Sequence, residues 1–141
     1  AGARVVDLYA GTGAVALEAL SRGAAHAVCV ESDRRAQALI AENRARLGEE
    51  ARCMIVRDGA ARALRAPIPG GPFDIVFLDP PYGKDLVTPT LGALLDGGWV
   101  QAGAIVVIEC ASTDAPALPD RFGTEKEREI GDTRILITRV R

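Results

Sequence analysis

Five short apolar runs, separated by helical runs with recognisable start and stop signals, constrain this chain's fold more than any other feature. Arg4 to Tyr9, Ala27 to Glu31, Arg52 to Arg57, Phe73 to Leu78 and Ala104 to Glu109 read as strands. Ala14 to Arg22 reads as a helix closed by Gly23, and Asp33 offers an N-cap for a helix through Leu47, with Gly48 just beyond. Asp58 offers a cap for a short helix through Arg65. Pro67 to Pro72 reads as a loop, and Thr88-Pro89 as the cap and first turn of a helix ending near Gly97-Gly98. Such alternation predicts a Rossmann-like α/β fold, a doubly wound, mostly parallel sheet with right-handed crossovers. The tail departs from it. Lys126 to Ile130 and Thr133 to Val140 flank Gly131-Asp132, the composition of a tight turn, and predict a C-terminal antiparallel hairpin.

A chain of 141 residues is expected to form one domain, residues 1–141, burying ~68% of its unfolded surface. Its 48% hydrophobic and 26% charged residues describe an ordinary globule. No apolar run reaches the ~18–20 residues of a membrane span, and no secretory signal is evident, so no membrane partner is expected. Cys29, Cys53 and Cys110 each fall in a strand-like segment, which predicts buried free thiols in a reducing, cytoplasmic compartment. His26 is the single histidine; it reads as a loop or strand-start residue and argues against a histidine-based metal site or triad, so no metal is expected. Net charge is −2, which gives no whole-domain sign of nucleic-acid binding. Arg121, Lys126, Arg128, Arg134, Arg139 and Arg141 interleave with Glu125, Glu127, Glu129 and Asp132, the pattern of a solvated mixed face. The first strand begins about two residues after Ala1, an abrupt start that points to processing or truncation.

The first strand runs into Gly11-Thr12-Gly13 and then a helix. Gly11 suits the positive φ of a sharp turn, and Gly13 lets a ligand approach the backbone. Glu31 ends the second strand, where a carboxylate can accept hydrogen bonds from both hydroxyls of a ribose. Gly11-x-Gly13-x-x-Ala16 formally satisfies the dinucleotide fingerprint. Asp7 discriminates: it would repel a pyrophosphate, but it suits a ligand carrying an ammonium and a sulfonium, as S-adenosylmethionine does. Asp58, past the third strand, reads equally as an acceptor for an adenine amine or as a helix N-cap.

Asp79-Pro80-Pro81-Tyr82 follows the fourth strand at the edge where open α/β sheets bind ligands. A carboxylate, a rigid carbonyl and an aromatic ring there suit a flat base with an exocyclic amine; the alternative is a Pro-rich turn that stops a strand. Lys84 and Glu109 lie close to this run along the chain or at a strand end. Lys84 reads as a solvated loop lysine, and Glu109 as near the substrate, as a cap, or as a solvent-exposed strand end.

Together these residues resemble the class I S-adenosylmethionine-dependent methyltransferases. Asp7-x-x-x-Gly11-x-Gly13 is similar to their cofactor loop, Glu31 to their ribose acid, Asp58 to their adenine-side acid, and Asp79-Pro80-Pro81-Tyr82 to the signature of enzymes that methylate exocyclic amines. The tract from Leu8 to Ala24, with Val30-Glu31, Asn43, Phe73 to Tyr82 and Val107-Ile108-Glu109, more closely resembles the RsmD family, bacterial small-subunit rRNA guanine-N2 methyltransferases. The resemblance covers essentially the whole chain. It implies S-adenosyl-L-methionine held by Asp7, Ala10, Gly11, Thr12, Gly13, Glu31, Ser32, Asp58, Gly59 and Ala60, with Asp79, Pro80 and Tyr82 catalytic. It implies 16S rRNA or the assembling small ribosomal subunit as partner, and a monomer. Tyr9 stands where phenylalanine is commoner, and the family's basic N-terminal extension, expected to contact RNA, has no counterpart in this sequence. Other targets stay open: adenine N6 in DNA or RNA, or protein glutamine. A nicotinamide-dependent oxidoreductase would explain the glycines and Glu31 but leave Asp7 and Asp79 to Tyr82 idle, and a binding module without turnover is the non-enzymatic alternative.

Overall fold

A computed structural model describes residues 2–66, 70–81 and 85–141. Its elements run β1 (Arg4–Leu8), α1 (Ala14–Ser21), β2 (His26–Val30), α2 (Arg34–Arg46), β3 (Cys53–Val56), α3 (Ala60–Ala63), β4 (Phe73–Leu78), α4 (Val87–Asp96), β5 (Val100–Ala111), β6 (Phe122–Ile130) and β7 (Thr133–Val140). They form one seven-stranded sheet in the order β3-β2-β1-β4-β5-β7-β6. Strands β1 to β5 are mutually parallel, and β7 runs antiparallel to both neighbours. The expected doubly wound α/β sheet with its C-terminal hairpin is therefore observed. The strand order reverses beside β1, so the crevice for a ligand opens over β1 and β4.

Alternation along each strand sends side chains to two faces. On one, Val6, Leu8, Val28, Val76, Leu78, Val106 and Ile108 pack with Leu64, Leu91, Leu94 and Trp99 from the α3 and α4 side. On the other, Val5, Ala27, Cys29 and Cys53 pack beneath Ala16, Leu17, Leu20 and Ile40 from α1 and α2. Nearly all of these are buried, which is why the central strands read as continuous apolar runs rather than alternating ones. Trp99 is fully buried against Phe73, with ring centroids 5.5 Å apart. All three cysteines are buried and unpaired, as expected.

Helix termini account for most of the agreement and for the two corrections. Asp33 caps α2 by accepting from the Ala36 N–H at 2.9 Å. Helices α1, α2 and α4 end in one motif: the N–H of Ala24, Glu49 and Trp99 returns to the carbonyl of Ala19, Arg44 and Leu94, each just past a glycine of positive φ. Thr88 is not the α4 cap. The helix starts one residue earlier behind Leu86, and the Thr88 hydroxyl donates to the Ala117 carbonyl at 2.6 Å, a tertiary bond that sequence spacing cannot anticipate. Nor does Asp58 cap α3. Gly59 holds that position, and the Asp58 carboxylate accepts from the Gly59 N–H instead. The Gly131-Asp132 turn forms as expected, pairing Ile130 with Thr133.

Candidate functional site

Every acidic residue read from the sequence as a candidate for the site reaches the C-terminal edge of the parallel strands. Asp7 lies one residue before the end of β1, Glu31 one residue after β2, Asp58 two after β3, Asp79 one after β4, and Glu109 near the end of β5. Two opposed demands shape this edge. The glycine loop needs its backbone N–H groups satisfied, and the converging carboxylates need counter-charge.

The loop's demand is met within the chain. β1 ends at Leu8, and Tyr9 adopts φ 66°, an αL conformation uncommon outside glycine that turns the chain out of the strand. Ala10 then donates to the Val30 carbonyl at 3.0 Å, and Gly13 donates back to Ala10 at 3.0 Å. Gly13 has φ 81°, and a Cβ there would meet the Ile40 side chain at 3.2 Å, so glycine is required both by conformation and by the approach of α2. Gly11 faces open space, as a close backbone approach by a ligand demands. Asn43 of α2 donates to the Thr12 carbonyl at 3.1 Å. Glu31 grips the loop most directly. One carboxylate oxygen accepts from the Gly11 N–H at 2.7 Å and the other from the Asp33 N–H at 2.9 Å. Each oxygen keeps a second lone pair. Ser32, Gly59 and Ala60 lie along the same edge, just past β2 and β3.

The carboxylates' demand is unmet. Asp7 is only 4% exposed, and burial, then the charges of Asp79 and Glu31, push its pKa up to about 7. It shares with Tyr9, Ala10, Val15, Phe77, Asp79, Val107 and Glu109 a cavity of about 110 Å³. Burial also raises Asp79, and burial together with the charge of Asp79 raises Glu109. Among the described residues no group of three or more His, Cys, Asp or Glu side chains is arranged to hold a metal ion. The chemistry of this donor set fits a cationic organic ligand. S-adenosylmethionine carries an ammonium and a sulfonium, matching a buried carboxylate with raised proton affinity, and hydroxyls that the free Glu31 lone pairs can receive.

A second cavity, of about 270 Å³, opens on the other side of Pro80-Pro81. Leu86, Val87, Pro116 and Ala117 give it apolar surfaces, and Asp85, Thr88, Asp114 and Glu109 its polar ones. Pro80 is buried and Pro81 exposed. Tyr82 and Lys84 lie outside the described residues. Asp58 stands apart from the cluster, half exposed, with Arg62 3.6 Å away.

Sequence alone gives no role to two residues of α2: Gln37 donates to the Glu31 carbonyl and Asn43, named only within the family resemblance, to that of Thr12, a polar residue inside a helix being the available signal. Of the three readings open for Glu109, the structure places it beside Asp79 in the same cavity.

A family model described as "Conserved hypothetical protein 95" matches residues 1–139. The chain is similar to ribosomal RNA small subunit methyltransferase D of Escherichia coli, 34% identical over 130 residues, which are 92% of this chain and 64% of that protein. It thus spans less than two thirds of that relative's length. Among solved structures, it superposes on a conserved hypothetical protein of Streptococcus pyogenes with TM-score 0.90 and 36% identity, covering 99% of this chain and 87% of that one. It also superposes on TrmN of Thermus thermophilus with TM-score 0.80 and 25% identity, covering 99% of this chain and 44% of that one.

Proposed function

The chain belongs to the family described as conserved hypothetical protein 95, the RsmD family that its motifs resemble, and from that membership we propose that it transfers a methyl group from S-adenosylmethionine to the exocyclic N2 amine of a guanine in small-subunit rRNA. The observation that carries this reading is the buried Asp7 beside Asp79 and Glu31. Three carboxylates converge at a sheet edge with no described cation among them, which suits a positively charged cofactor next to an amine acceptor.

In this reading Asp7 holds the cofactor's ammonium, and Glu31 the ribose hydroxyls through the lone pairs that the loop leaves free. Ala10 to Gly13, Ser32 and Asp58 to Ala60 line the rest of the cofactor's path. The bound cofactor supplies an electrophilic methyl group on sulfur. The chain's part is to prepare the nucleophile. A guanine amine is nearly planar because its lone pair is delocalised into the ring. The Asp79 carboxylate and the Pro80 carbonyl accept its two N–H bonds and turn the lone pair out of that conjugation. Positive charge grows on the nitrogen as it reacts, so both acceptors bind the transition state more strongly than the ground state. Pro80 and Pro81 stiffen the loop that carries them. Tyr82 would stack on the base, worth ~1–3 kcal/mol by analogy with single-strand platforms. The base must leave its stack or be unpaired to enter.

The test is methylation of undermodified 30S particles and free 16S rRNA with tritiated S-adenosylmethionine, followed by nucleoside mapping. Label on guanine N2 is expected; label on adenosine, or on neither substrate, overturns the assignment. Asp79→Ala is expected to keep cofactor affinity by calorimetry while losing transfer by ~10²-fold or more. Near-normal turnover would remove Asp79 from its role.

A further inference from the structure

Resting on the guanine-N2 reading above, we propose that Glu109 selects the acceptor base by accepting its ring N1–H, so that the site takes guanine and refuses a purine amine lacking that donor. Three observations carry this. The first is register. Leu78 of β4 pairs with Ile108 of β5, and Asp79 and Glu109 are the next residues on the two parallel strands. The register sets both carboxyl groups on one face of the sheet, where they line the same cavity and the Asp79 charge acts on Glu109.

The second is position. Glu109 is the one described residue that lines both cavities, the inner one with Asp7 and Asp79 and the outer one behind Pro80-Pro81. An acceptor reaching Asp79 from the outer cavity therefore passes the Glu109 carboxyl. Pro80, Pro81, Pro116, Leu86 and Val87 give the outer cavity surfaces suited to a flat ring, and of its polar lining residues Asp85, Thr88, Asp114 and Glu109, Glu109 is the one that also lines the inner cavity.

The third is chemical. Two neighbouring carboxyl groups repel when both are ionised, so the pair favours holding a proton in the absence of a donor-bearing ligand. A substrate that displaces this arrangement must bring N–H donors to both. Guanine presents N1–H directly beside its N2 amine, two neighbouring donor groups along one edge. Adenine and cytosine instead place a ring-nitrogen lone pair beside the amine, and that lone pair would face the Glu109 carboxylate. Asp79 alone recognises an amine; Asp79 with Glu109 recognises an amine next to a ring N–H.

2-Aminopurine separates these two statements, because it keeps the N2 amine and has a bare N1. Once the methylated guanine is mapped, 16S rRNA carrying guanine or 2-aminopurine at that nucleotide is reconstituted into particles and labelled with tritiated S-adenosylmethionine. The wild-type protein is expected to favour guanine by ~10–100-fold in kcat/KM. Glu109→Gln, whose amide can donate to a bare N1, is expected to shrink that ratio toward one. A bracing role for Glu109 would slow both substrates alike and leave the ratio unchanged, which overturns the proposal. Equal use of the two bases by the wild type overturns it without any variant. Absence of label on guanine instead defeats the functional reading beneath it, so the two failures are distinguishable.

Discussion

The Gly11–Gly13 loop and the Asp79–Pro81 segment leave the same sheet edge from adjacent parallel strands, yet they are held in opposite ways. The glycine loop is tied by backbone bonds from Ala10 to Val30 and from Gly13 to Ala10, by Glu31 on the Gly11 N–H, and by Asn43 on Thr12. Its shape is fixed before any ligand arrives. At the β4 and β5 end no such bracing is present: burial raises Asp79, burial and the Asp79 charge raise Glu109, and Asp7 nearby is pushed toward neutrality. Two structural economies meet here. In the proposed function, a cofactor bound anew at every turnover would gain from a pre-shaped loop, since ordering the loop each time would cost affinity. Carboxylates that will contact cationic or N–H-rich ligands are instead strained by one another in the free protein, and the ligand relieves that strain.

The largest effect of this contrast lies at Asp7. Its carboxyl is raised from 3.8 to about 7, so between those values the folded protein keeps a proton that the unfolded chain releases. The sign follows: stability of the free protein falls as pH rises through this window and is lowest above pH 7. The single group accounts for up to about 4 kcal/mol of that loss. Asp7→Asn removes it. Thermal denaturation without cofactor is expected to show the variant more stable than wild type at pH 8 and equal to it near pH 4, while calorimetry shows weaker S-adenosylmethionine binding. A variant less stable than wild type at pH 8 would mean that Asp7 is satisfied in the free protein, and the contrast between the two regions would collapse.

Most of the architecture was legible because it rests on local signals. The alternation of apolar runs and capped helices, the glycines after α1, α2 and α4, and the Gly131-Asp132 turn are short-range features with definite physical causes. What was illegible depends on contacts distant in sequence. The Thr88 hydroxyl bonds a carbonyl 29 residues away, and Asn43 reaches Thr12 across 31. Glu109 acquires meaning only from the β4–β5 register, which sets it beside Asp79. For the candidate site, residue types and their order pointed to the C-terminal edge of the parallel strands, where the structure brings Asp7, Glu31, Asp79 and Glu109, but the division between a braced half and an unsatisfied half appears only once the strands are side by side.

Glu31 tests the braced half and should give an intermediate effect. Its carboxylate holds the Gly11 and Asp33 N–H groups at 2.7 and 2.9 Å, both charge-assisted bonds. Glu31→Ala leaves those two donors without their partner and, in the proposed site, removes the ribose acceptor as well. A loss of about 2–3 kcal/mol in cofactor binding is expected, near 100-fold by calorimetry. Hydrogen exchange at Gly11 should accelerate in the same variant. Unchanged affinity would remove Glu31 from the ribose site, and unchanged exchange would show that the loop does not depend on it.

The smallest effect is expected at Gly13, where conformation and packing can be weighed against each other. An alanine there must hold φ 81°, which costs a non-glycine residue roughly 1–2 kcal/mol. Its Cβ must also push against Ile40 Cγ1 and Cγ2, both 3.2 Å away on a fully buried side chain of α2. Gly13→Ala/Ile40→Ala removes both contacting atoms but none of the backbone strain. If strain dominates, the double variant is no more stable toward urea than the sum of the single changes predicts. If the contact dominates, the double variant recovers stability relative to that sum, although Ile40→Ala costs about 2–5 kcal/mol in the wild type. We expect the first outcome, because a shift of a few tenths of an ångström by the Ile40 side chain relieves a 3.2 Å contact whereas the φ of 81° stays. Recovery would show that α2, and not the backbone of the turn, is what the glycine accommodates, and the bracing of this half would then belong to the packing of Ile40 as much as to hydrogen bonds.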